Sequence, residues 1–110
     1  MIKPMISAVF DPSADKLRLC VKGHAEYCES GADIVCAAVS GIFYSFLGYL
    51  IACHKEGTDV FCIEHGRAEL ACPLEAEEAM KQTCIGFMQI ENTYPECVKV
   101  TNNVWFDGFS

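Results

Sequence analysis

The sequence has no C-x-x-C pair, no signal-peptide shape in its first ten residues, few basic residues, and no charge between Ile34 and Cys53. Each absence excludes a class of protein. Cys20, His24 and Cys28 recur at four-residue spacing, but a strand end and a glycine-containing loop cannot hold them on one helical face, and Cys62 with His65 lacks a partner pair. No metal site is expected. The opening MIKPMISAVF has no charged leader, apolar core and small-residue cleavage site, so a cytoplasmic location with reduced thiols is expected rather than a secreted disulfide scaffold. Eight Lys and Arg face fifteen Asp and Glu, giving a net charge of -7. A surface of that sign repels phosphate, which argues against nucleic acid as a direct ligand and favours encounter with a basic peptide. Neither linker nor repeat is visible, so residues 1–110 are expected to form one domain.

What is present centres on the run from Gly23 to Cys53. Its first third is a polar loop; the remainder, Ile34 to Cys53, is long enough to span a bilayer. Ser40, Gly41, Ser45 and Gly48 interrupt it, and the rest of the chain reads as amphipathic strands and one more helix. The expectation is a buried central helix, covered by a sheet, a second helix and a twin subunit, with no membrane association.

Around that helix, strands are expected within Ile2–Asp11 and over Lys16–Lys22, where Leu17, Leu19 and Val21 alternate with Arg18, Cys20 and Lys22. Pro12 to Asp15 supply a turn between them. A hairpin follows, Thr58–Glu64 and Arg67–Cys72, with Gly66 providing positive φ in the turn His65-Gly66. Glu75 opens a second helix whose inner stripe is Met80, Thr83, Cys84, Phe87, Met88 and Ile90, and Pro95 stops it. Cys97–Thr101 reads as a last strand, followed by an aromatic tail from Val104 to Ser110. The order β-β-α-β-β-α-β defines an α+β fold with a mixed or antiparallel sheet.

Chemistry points to Cys36. A thiol near a helix start feels the positive end of the macrodipole, which favours the thiolate. With Asp33 as N-cap, Cys36 is at the third helical position and its amide is an unpaired donor; with Ser30 as N-cap, it falls in the second turn. Asp33 is the preferred cap. Either way Asp33, Cys36 and Ser40 share one face. His24 precedes Cys36 by twelve positions in a loop flanked by Gly23 and Gly31, glycines that allow it to fold back and bring an imidazole to the thiol. Taken singly, Cys36 also suits a small core position and His24 a solvated loop. Their pairing is what suggests a nucleophile and its base.

Gly23-His24-Ala25, then Gly31, then Asp33-Ile34-Val35-Cys36-Ala37-Ala38-Val39-Ser40 resemble the signature of the ribosomal-processing cysteine proteases, the Prp family. Tyr94-Pro95-Glu96 and Val98-Lys99-Val100 resemble that family's closing strand. The resemblance implies a small, dimeric α+β endopeptidase of the bacterial cytoplasm, without a cofactor. Its partner would be the N-terminal extension of a large-subunit ribosomal protein, cut after a motif ending in aromatic residues. It also implies a dyad of Cys36 and His24, with Asp33 either orienting the imidazole or capping the helix, and Gly23, Gly31 and Ser40 in support. Cys28 and the abundance of cysteine depart from the pattern. Two other classes use the same residues: an acidic dimerisation or adaptor module with incidental thiols, and a thiol-based acyltransferase or redox protein.

Overall fold

Alternating apolar residues in the first two strands have to bury one face, and the register they adopt decides where that face lies. A computed structural model describes residues 5–12, 15–23, 32–64, 66–102 and 105. Its elements are β1 (Ile6–Pro12), β2 (Leu17–Lys22), α1 (Ala32–Cys53), β3 (Asp59–Glu64), β4 (Arg67–Cys72), α2 (Glu77–Thr93) and β5 (Val98–Asn102). Short 3-10 turns at Lys55–Gly57 and Leu74–Ala76 lead into β3 and α2. The α+β order is the expected one.

The five strands form one sheet in the order β3-β4-β2-β1-β5. All neighbours are antiparallel except β1 and β5, so the sheet is mixed. Two inward rows cross it. Phe10, Leu19, Leu70 and Val60 make one, and Ala8, Val21, Ala68 and Ile63 the other. Phe10, Leu19 and Leu70 are fully buried, whereas Val60 and Ile63, at the end of each row, emerge into solvent.

The helices cover the inward face. From α1 come Val35, Val39, Phe43, Phe46, Leu47 and Leu50, spaced by three and four so that one stripe meets the strands. Met80, Cys84, Phe87 and Met88 of α2 join the same core, and the Phe87 ring lies 5.6 Å from Phe10. Burying a side chain the size of Phe87 contributes about 1.5–3 kcal/mol. Thr83, the polar member of that stripe, donates its hydroxyl to the Ala79 carbonyl at 2.9 Å, which removes the cost of burying it. By length and composition Ile34–Cys53 qualifies as a bilayer span, but its inner stripe is spent on this core. Away from that stripe, Ile34 and Ile51 of α1 stay open to solvent.

Several boundaries differ from expectation. β1 runs through Pro12 rather than ending before it; β5 stops pairing at Phe10, so the missing amide of Pro12 is not needed on that side. Glu75, expected to open α2, falls instead in the 3-10 turn, and α2 begins at Glu77, with Glu77 and Glu78 in its first turn. Cys97 is disulfide-bonded, against the expectation of reduced thiols throughout. In the aromatic tail, Trp105 packs 6.4 Å from Phe10 and donates its indole N–H to Glu77 at 3.1 Å; the remainder of that tail lies outside the described residues.

Candidate active site

α1 begins at Ala32, which places Asp33 inside the first turn. A helix capped by Asp33 was expected to start two residues later. Cys36 becomes the fifth helical residue, in the second turn, and its amide is committed to the carbonyl four residues back. Unpaired donors come instead from the first-turn amides, at residues 32–34.

Cys36 is half-buried and lines a cleft of about 170 Å³. That is below the usual size of a small-molecule pocket and suits one side chain. One wall is α1, with Cys36, Val39, Ser40, Phe43 and Tyr44. Ile63, Glu64, Gly66, Arg67 and Ala68, from the β3–β4 hairpin, form the other, and Gly23 closes the end. Ser40 is one turn beyond Cys36 on the same side and is exposed, so both reach the cleft as their spacing suggested.

Gly23 is fixed rather than flexible. Its φ is +99°, a Cβ there would collide with the Met5 carbonyl, and its amide donates to the Gly66 carbonyl at 2.8 Å. The end of β2 is pinned to the hairpin turn, which itself needs positive φ at Gly66 (+85°). His24 itself, Gly31 and the polar loop between them lie outside the described residues. His54, the one histidine described, is at the far end of α1, 3.2 Å from the Tyr49 hydroxyl.

The other thiols are in different circumstances. Burial pushes Cys72 and Cys84 up to about 11, so both stay protonated at neutral pH. Cys62 is raised by its hydrogen bond to Glu64, 3.0 Å long, with burial adding to it. Glu64 therefore brings a carboxylate to the cleft, whereas Arg67 is engaged by Glu69 at 3.1 Å. Among the described residues, no group of His, Cys, Asp and Glu is arranged to hold a metal ion.

Sequence reasoning missed the hairpin wall. Its strands were legible, but Lys22 pairing with Arg67, which carries the turn to the end of β2, is a contact between residues 45 apart by their numbers. No local pattern encodes it.

A free thiol on the second turn of an apolar helix, facing an apolar cleft walled by a pinned hairpin, suits covalent attack on an extended peptide, and the protein is a cysteine protease. The chain belongs to the family described as Cysteine protease Prp, whose sequence model matches residues 5–99. Membership sets aside the adaptor reading. The fold is similar to that of the ribosomal processing protease Prp from S. aureus, solved with a covalently linked product peptide: TM-score 0.76 and 23% identity, over 90% of this chain and 100% of that one. It is also similar to SMU.848 from Streptococcus mutans, at TM-score 0.70 and 23% identity over 89% and 93% of the two chains. A hypothetical protein from Staphylococcus aureus matches at TM-score 0.66 and 14% identity, over 90% and 100%. No curated protein matches in sequence.

Proposed function

We propose that this protease removes a short N-terminal extension from a bacterial large-subunit ribosomal protein, with Cys36 as nucleophile and His24 as base. The observation that carries the reading is that Cys36 lines the cleft while Cys72 and Cys84 are buried with raised pKa values. Membership of the family supports it, as does the description of the S. aureus relative as a ribosomal processing protease.

In this mechanism His24 takes the Cys36 proton and the sulfur attacks the scissile carbonyl. The tetrahedral oxyanion is held by first-turn amides of α1 rather than by the amide of Cys36. Collapse breaks the C–N bond, and the imidazolium returns its proton to the leaving amine. A thioester remains on Cys36. Water, deprotonated by His24, then releases the acid product and the free thiol. Asp33, on the helical face of Cys36, is available to orient the imidazole.

The test is cleavage, read by mass, of a peptide whose acyl side ends in two aromatics and whose amine side carries basic residues. Cys36→Ala should abolish it with the fold intact. His24→Ala should slow it by about two to four orders of magnitude. Undiminished cleavage by Cys36→Ala overturns the proposal.

A further inference from the structure

The two edges of the sheet are treated differently. On β5, the outward amide of Val100 donates to the Glu91 carboxylate of α2 at 3.0 Å, so that edge is covered. β3 has no such guard. Among the described residues it pairs with β4 alone, it contains neither Lys nor Pro, and Val60, Phe61 and Ile63 are 45%, 52% and 42% exposed. A bare apolar edge is a hazard that proteins normally suppress, and one left open is a template for another strand. This one leads into the cleft: its last residues, Ile63 and Glu64, line the same space as Cys36.

We infer that the substrate peptide docks by adding itself as a sixth strand along β3, which carries its scissile bond into the cleft at Cys36; the inference rests on the peptidase reading. An extended peptide at β-spacing, about 4.8 Å from β3, has its alternate side chains on the helix side, where Val60 and Ile63 end the two inward rows. The side chain nearest Glu64 then enters the cleft against Ile63, Val39 and Tyr44. The intervening side chains lie on the outer face with Phe61, whose ring is covered by Arg18 at 5.1 Å.

Charge selects the occupant. A second copy pairing its own β3 antiparallel about the strand centre would set Asp59 against Glu64 at both ends, and like charges directly opposite are destabilising. Lys16, 3.3 Å from Asp59, offsets one acid of each pair and leaves Glu64. A separate peptide avoids that clash if it is apolar at alternate positions and carries no acid opposite either end of β3. The net charge of -7 favours a basic one.

The experiment uses the full chain carrying Cys36→Ala, so that the peptide stays intact. Its ligand is a synthetic twelve-residue peptide with two adjacent aromatics followed by lysines, and a series in which one backbone amide at a time is N-methylated. Strand addition predicts losses of affinity of about tenfold or more at every second residue, with small changes between them. Amide exchange over 59–64 should slow on binding while that of β5 is unchanged. Losses without a two-residue period, or exchange at β3 unaltered in the bound state, overturn strand addition even where the unsubstituted chain cuts the peptide. Slow exchange at β3 in the free protein that quickens on dilution assigns the edge to a second copy and also overturns it. A peptide neither bound nor cut removes the peptidase reading and this inference together.

Discussion

Gly23 lines the cleft and Asp33 precedes Cys36 by three residues on α1, and each makes a prediction that separates structure from chemistry. Gly23→Ala forces a side chain into positive φ and against the Met5 carbonyl, so it should cost about 2 kcal/mol or more in denaturant unfolding. It should also impair cleavage, because the residue after it is His24. Retention of full stability would mean that the end of β2 shifts freely, contrary to its amide bond with Gly66. Asp33→Asn keeps a polar side chain in the first turn but removes the charge that would steady an imidazolium. A fall in cleavage of tenfold or more, with an unchanged unfolding midpoint, assigns Asp33 to the chemistry; activity near that of the parent leaves it a helix-end residue. The position of Cys36 near the start of α1 was legible in the sequence because a polar loop giving way to a long apolar run is a local signal. The start of α1 was harder to read because Ser30 and Asp33 both offer plausible caps, and local propensity does not choose between them.

At the level of elements, most of the fold was legible because its periods are clean. Alternation marked β2, with Leu17 and Leu19 inward, and a stripe at helical spacing marked α2. What could not be read was strand order. The parallel pairing of β1 with β5 and the insertion of β2 between β1 and β4 arise from long-range contacts, and these make β3 an edge and bring its hairpin to Cys36. The contrast between the edges gives a prediction for α2. Glu91→Ala leaves the half-buried Val100 amide without its carboxylate acceptor, which should cost about 1–3 kcal/mol. Glu91→Gln, whose side-chain carbonyl still accepts, should recover most of that loss. If the two variants unfold alike, the charge rather than the hydrogen bond holds α2 on β5. Phe87→Ala, which empties a site against Phe10, should cost about 3–5 kcal/mol.

For the whole molecule, the open face of α1 and the buried thiols act on stability through different variables, concentration and pH. Ile34 and Ile51 are large, apolar and exposed on a helix that carries no charge beyond Asp33, so a dimer closed over them is expected at micromolar concentration. Ile51→Lys should shift sedimentation toward the monomer without loss of helix content. The pH effect arises inside each chain. Cys72 on β4 and Cys84 on α2 are fully buried, and desolvation pushes each up to about 11 from an ordinary value of 9.0, with Glu91 adding to it for Cys84 and Lys16 opposing it for Cys72. Between those two values the unfolded chain releases protons that the folded chain retains, so alkali favours unfolding. The contribution of these thiols is complete below about 9 and is lost as pH rises through about 11. Denaturation midpoints should therefore be nearly level from neutral pH to about 8.5 and decline beyond it. Cys84→Ala and Cys72→Ala each lower stability at neutral pH by opening a small cavity, yet each should flatten the alkaline decline, and together they should flatten it most. A double variant that declines as steeply as the parent would assign the alkaline limit to other groups and leave the buried thiols as simple core residues.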